Sequence, residues 1–348
     1  MNRRLLPGVL AGFVLLAAAP RAFGEHPERP LGDSHFLASV PLPGLPEGIA
    51  VHKGRIYVSG PAGFGAGPSA VWVYDLKTSA LVDTIAINEP SPGGASCLAF
   101  GDEDDLYVIV EALGVVKIDV NTKHQSLYSG PFPIVFNSNQ NRGLELLNDL
   151  AFDKDGNLYV TDSFQATIWR VPKGGGTPVV WLQDPHLDGY FGPNGIRIDK
   201  KSQNLYFTQT LQGGFGTAGV LYKVPLIAHP HFADVQLIHT YYELPDGIAF
   251  GRSGKLYVCL AGSSQISVID PDGAPASNEI TRYSGPAQTA DPAHPLPWSN
   301  PANIAFDDEH GRLIVTNHNS INAPQNAALF AIFDVFVDDT AGKLFGDK

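Results

Sequence analysis

Only two cysteines, Cys97 and Cys259, occur in 348 residues, so no disulfide framework holds this chain together. Each falls inside a strand-like apolar run, SCLAF or LYVCL, where a free thiol behaves as a small hydrophobe. Buried thiols are expected rather than a bridge. Basic residues are also scarce: 23 Lys and Arg stand against 35 Asp and Glu, for a formal charge of -12. An acidic chain with scattered bases is a poor partner for nucleic acid or an anionic membrane surface, and a better one for cations or neutral small molecules. Beyond the first 24 residues no stretch reaches the roughly 18 uninterrupted apolar residues that suggest a membrane span. Long amphipathic helix patterns and low-complexity tracts are missing as well. So are G-x-S-x-G, H-E-x-x-H, paired C-x-x-C and G-K-[ST], which removes the usual serine hydrolase, zinc protease and P-loop readings.

The N-terminus carries a leader pattern. Arg3 and Arg4 precede an apolar run over 5–19, and Ala22, Phe23 and Gly24 supply the small-x-small pattern of a signal-peptidase site. Residues 1–24 are therefore expected to be a signal peptide and the protein to be exported, secreted or periplasmic. Losing that leader removes three arginines and no acid, taking the formal charge from -12 to -15. Residues 25–348 are expected to form a single domain.

In that stretch 37 glycines and 28 prolines, counted over the whole chain, punctuate short strand-like runs, and one pattern recurs. It reads EGIAVHKGRIYVSG from Glu47, SCLAFGDEDDLYVIV from Ser96, NDLAFDKDGNLYVTDS from Asn148, NGIRIDKKSQNLYFTQT from Asn194, DGIAFGRSGKLYVCLAG from Asp246 and ANIAFDDEHGRLIVTNH from Ala302. A period of about 50 residues with two further strand-like runs per unit describes a six-bladed β-propeller of four antiparallel strands per blade. A β-sandwich or two tandem β-domains would not keep one strand order in all six units. The sixth unit lacks an outer strand, and residues 36–42 (FLASVPL) are the simplest source of it, closing the ring and removing an exposed edge.

In a propeller the first strand of each blade lines the central channel. The leading residues Glu47, Ser96, Asn148, Asn194, Asp246 and Ala302 should then gather at one channel mouth. Two carboxylates and two amides buried there without partners would be costly. A hard cation removes that cost, and Ca2+ takes about six to eight oxygen ligands of these kinds. No His or Cys leads a unit, which disfavours zinc. Each of these residues taken singly is as well explained by hydrogen bonds to its own turn.

The segments PEGIAV, LNDLAFDKDGNLYVTDS, GPNGIRID and LPDGIAFGRSGKLYV resemble the SMP-30, gluconolactonase and regucalcin family of six-bladed propellers, with more distant similarity to paraoxonases and diisopropyl-fluorophosphatase. The resemblance implies a divalent cation, most simply Ca2+, held by Glu47, Asn148, Asn194 and Asp246. It leaves Asn148 the least certain ligand, because in some members that Asn contacts substrate more than metal. Family members acting on sugar acids often carry Arg two residues before that Asn; here the position is Leu146. The paraoxonase His dyad has no convincing match.

The chemistry expected at such a mouth is metal-dependent hydrolysis of a lactone or related ester. Asp246 is the candidate general base, or, if it is fully coordinated, a hydroxide on the cation does the attack. The alternative is a non-enzymatic, calcium-stabilised binding or scaffold propeller of the NHL kind. Loops after the second strands crown the same face, and from them Phe64, Phe215, Asp162, Asn317 and His318 are candidate substrate contacts. The DKDGN turn at 153–157 invites a calcium-loop reading. An EF-hand loop starting at Asp153 would need its bidentate Glu where Phe164 stands, so the turn is expected to be a plain hairpin on the opposite face.

Overall fold

The computed structural model describes residues 29–63, 67–90, 93–101, 104–111, 113–140, 143–199, 201, 203–286, 296–321 and 326–342. The expected leader over 1–24 and Phe64 lie outside the described residues. From Leu31 onward the chain forms one compact unit of six four-stranded sheets, each built from strands in simple up-and-down order. The inner strands are Ile49–His52, Ala95–Phe100, Leu147–Phe152, Phe191–Ile198, Pro245–Phe250 and Pro301–Asp307. Each contacts the inner strands of the blades on either side, the sixth against the first, so they enclose one channel. The sixth blade takes its outer strand from the N-terminal side: Ser34–Ser39 pairs antiparallel with Ala331–Phe336, with a bulge between Phe36 and Ala38.

Burial explains the strand patterns. Second strands such as Leu158–Asp162 and Leu256–Leu260 are buried throughout and begin with unbroken apolar runs, because both faces of each sheet are covered by neighbouring blades. Outer strands such as Leu81–Ala86 are largely exposed. The core is divided into six apolar clusters, one at each junction between adjacent blades, including the junction of the sixth with the first through Ile314, Phe330 and Ile332.

A repeated aromatic contact sets the register between blades. The Tyr of four second strands meets, edge to face, the Phe near the end of the next inner strand: Tyr57 with Phe100, Tyr107 with Phe152, Tyr206 with Phe250 and Tyr257 with Phe306, at 4.8 to 5.4 Å. Such pairs contribute about 0.5–1.5 kcal/mol beyond area burial. In the fourth unit Ile198 replaces that Phe, and Tyr159 packs on Trp181 instead, at 5.0 Å.

A second repeat is polar. The hydroxyls of Ser59, Thr161, Thr208 and Thr316 donate to the backbone carbonyls of Ser96, Asn194, Asp246 and Glu47, each the leading residue of the next blade. Thr161 does so at 2.6 Å, Thr208 at 2.8 Å and Thr316 at 2.9 Å. Close approach is completed by glycine: a Cβ on Gly195 would clash with the Asp246 carbonyl, and one on Gly247 would lie 2.6 Å from the Ala302 carbonyl. These contacts fix the backbone of the channel mouth.

Both cysteines are free and buried. Cys97 accepts from Asn303 Nδ2 at 3.0 Å. Among the described residues no helix is long and apolar enough to cross a membrane.

Candidate metal centre at the channel mouth

The leading residues lie where the inner strands begin. Glu47, Asn148 and Asn194 are buried, and Asp246 is partly exposed. Three of their oxygens, Glu47 Oε2, Asn148 Oδ1 and Asn194 Oδ1, are buried without a hydrogen-bond partner. A buried polar atom left unsatisfied costs about 1–3 kcal/mol, so three together are comparable to the roughly 5–15 kcal/mol by which a domain is stable. Asn194 is held in place by its amide nitrogen, which donates to Thr210 Oγ1 at 2.8 Å and also hydrogen-bonds the Asp246 carboxylate. Its oxygen is thereby turned away from both.

Burial, with the Asp149 carboxylate nearby, pushes the Asp246 carboxyl up to about 8. Burial pushes Glu47 well above the usual carboxylate range, helped by the charges of Asp246, Asp149 and Glu111. Two acids thus share a water-poor mouth in which neither ionises readily, and a positive charge between them would reverse both shifts. Carboxylate and amide oxygens in this number suit a hard divalent cation. Among the described residues no group of three or more His, Cys, Asp or Glu is placed to hold a metal; the arrangement here has two carboxylates and two amides, a donor set of a different composition.

The remaining expected contacts are distributed differently. Asp162 is fully buried and accepts from the Leu146 and Phe164 amides, Gln165 Nε2 and Trp169 Nε1. Asn317 braces its own loop, accepting from the Ser299 amide and donating to the Leu329 carbonyl. His318 lies at the mouth, its Nε2 3.3 Å from Glu47 Oε2, and burial pushes its pKa down to about 3, so the imidazole is neutral. Phe215 is exposed and packs on Tyr190 at 4.7 Å between ring centres.

Sequence reasoning missed Glu111. It follows the second strand of blade two and accepts from Ser96 Oγ at 2.7 Å, and burial pushes it up to about 8. It also missed a polar layer below the mouth, where Arg197 pairs with Asp149 at 2.6 Å and reaches Asn303 Oδ1 at 3.3 Å. The signal available was the second residue of each unit: Asp149 and Asn303 stand in the column that holds glycine in units one, four and five.

The family model of the SMP-30/gluconolactonase/LRE-like region matches residues 69–319. The chain belongs to this family. A lactonase, Drp35, from Staphylococcus haemolyticus is 24% identical over 185 residues, which are 49% of this chain and 54% of that protein. The chain therefore matches about half the length of this relative. Among solved structures, regucalcin from Agrobacterium tumefaciens, described as a calcium-binding protein, superposes with a TM-score of 0.62 at 17% identity, covering 90% of this chain and 96% of its own. A gluconolactonase from Xanthomonas campestris gives 0.61 at 18% identity, covering 88% and 90%. At these identities the structural likeness is one of fold. The family match spans Asn148, Asn194 and Asp246, while Glu47 precedes it.

Proposed function

We propose that the protein hydrolyses a lactone or related ester at the channel mouth, with a divalent cation, Ca2+ in the first instance, held by Glu47, Asn148, Asn194 and Asp246. The observation that carries this reading is the set of three buried oxygens without hydrogen bonds beside the Asp246 carboxyl. Membership of a family named for gluconolactonase, and a fold neighbour described as calcium-binding, support it. When bound, the cation supplies positive charge that polarises an ester carbonyl and makes a nearby water more acidic.

The protein's own groups do the rest. Asp246 is the base: its carboxylate takes the proton from water as the water oxygen bonds to the carbonyl carbon, then returns it to the leaving alkoxide as the ring C–O bond breaks. The product is the hydroxy acid. Asn194 orients Asp246 through its amide nitrogen, and Thr208 fixes the Asp246 backbone from the preceding blade. Thr316 does the same for Glu47. Neutral His318 stands behind Glu47 and adds no charge to the mouth.

The test is calorimetric titration of the purified protein with Ca2+, followed by a panel of aliphatic, aromatic and sugar lactones with Ca2+ and with chelator. Cation binding and chelator-sensitive turnover are expected. Turnover untouched by chelation and by Asp246→Ala would overturn the mechanism, and cation binding without turnover of any ester would favour a scaffold propeller.

A further inference from the structure

Next to the mouth lies an open pocket of about 440 Å3, within the roughly 300–1,000 Å3 range of small-molecule sites. Its walls join the candidate centre directly. Leu146 stands two residues before Asn148, and Glu111 is tied to Ser96, the leading residue of blade two, and to the Leu147 amide. Most of the remaining wall is apolar: Ile134 and Leu144 are 48% and 55% exposed, and Phe164 completes it. Phe164 begins an aromatic strip along the same face, through Phe191 at 5.7 Å and Tyr190 to Phe215. Among the described residues the charged side chains lining the pocket are both acids, Glu111 and Glu145.

We propose that this pocket is the subsite for the substrate's side group, and that it selects an apolar group, preferring one with a cationic nitrogen over an uncharged one and excluding a carboxylate. The word substrate rests on the hydrolase reading above; the selection itself does not. An anionic group here would face two carboxyls and, among the described lining residues, no base to pair it; it would oppose the ionisation of both, whereas a cation would favour it. A group rich in hydroxyls would leave them unmatched against Ile134, Leu144, Leu146 and Phe164, which is costly. An apolar group covers wall that is otherwise wet, and an ammonium at its end would find a carboxyl partner. The preferred class is therefore a lactone with an aliphatic or aromatic arm, basic or neutral, rather than a polyhydroxylated or carboxylate-bearing one.

The test uses lactams, which keep the ring and carbonyl of a lactone but resist hydrolysis. Three six-membered lactams with the same phenylalkyl arm, ending in an ammonium, a methyl or a carboxylate, are titrated calorimetrically into Ca2+-supplemented protein. The ammonium form is expected to bind at least about tenfold more tightly than the carboxylate form, as one paired against one repelled charge implies. Glu145→Gln, at a partly exposed position, should shrink that ratio several-fold and leave the methyl form unmoved. Leu144→Ala should weaken all three, and Glu111→Gln should act like Glu145→Gln. Equal binding of the charged forms, or a ratio unmoved by both Gln variants, overturns the subsite. If the ratio behaves as expected while no lactone is turned over, the subsite stands and the hydrolase reading fails.

Discussion

At the turn end of the channel, Asp153 has both carboxylate oxygens engaged: the Asp155 and Asn157 amides donate at 2.9 Å each, and Asn157 Nδ2 donates at 2.8 Å. At the mouth, Glu47, Asn148 and Asn194 each bury an oxygen that receives no hydrogen bond. The residue types are nearly the same, and the acid-rich DKDGN turn looks the more metal-like of the two in sequence. Asp199 and Asp307 repeat the Asp153 arrangement in other blades, as short Asx turns do. Below the mouth the channel ends in a cavity of about 160 Å3 lined mainly by apolar residues, among them Ile49, Leu98, Leu150 and Phe306. Acid count does not mark a site. On the proposed function, unmet hydrogen-bonding capacity does, because a saturated carboxylate is already neutralised by its own turn.

That contrast is broken most directly at Asp246. Asp246→Ala is expected to lower kcat/KM for a responsive lactone by about 10²–10⁴-fold and to weaken Ca2+ binding, read by steady-state assay and calorimetry. Asn194→Leu removes one oxygen and the amide that orients Asp246, and a loss of about 10–100-fold in Ca2+ affinity is expected, with Asn148→Leu showing the smaller loss of the two.

Proton linkage sharpens the comparison without mutation. Native Asp246 keeps its proton up to about 8, whereas its ordinary value is 3.8. Between those values the metal-free native state holds more protons than the unfolded chain, so its stability falls as pH rises. A bound cation removes that penalty. The rise in Tm on adding Ca2+ should therefore be larger at pH 8 than at pH 5, measured by scanning calorimetry. Equal shifts at both pH values would separate Ca2+ from the mouth.

The smallest effect is expected at the other end of the channel. Asp153→Ala should cost about 1–2 kcal/mol, a drop of a few degrees in Tm, with Ca2+ affinity and turnover unchanged. A loss of Ca2+ binding in this variant would mean that the turn is the metal site after all.

The six-unit register, the blade count and the position of the leading residues at the starts of the inner strands were legible in sequence because strand pattern and turn chemistry repeat at a fixed period. What side chains at the ends of second strands do was not. Asp162 and Asn317 look alike as polar strand ends, yet Asp162 is consumed by Gln165 and Trp169 within its own blade, and Asn317 by Ser299 and Leu329. Local partners three to eighteen residues away compete for such groups, and only coordinates decide the competition. Glu111 was passed over because it follows Val110 in what reads as a loop start. The hydroxyl column of Ser59, Thr161, Thr208 and Thr316 is visible once the units are aligned, but its meaning depends on the neighbouring blade, which periodicity does not reveal.

The Thr316 bond to the Glu47 carbonyl joins residues 269 positions apart, and the pairing of Ser34–Ser39 with Ala331–Phe336 spans a similar distance. Contacts of such long range form late in folding, after shorter loops have closed. The backbone that carries Glu47 is held within its own blade by Ser59, and its carbonyl gains the Thr316 bond when the last blade meets the first. Ca2+ capture would then report completion of the ring, and a chain halted before its sixth blade could bury four of the six junctions yet lack a competent mouth.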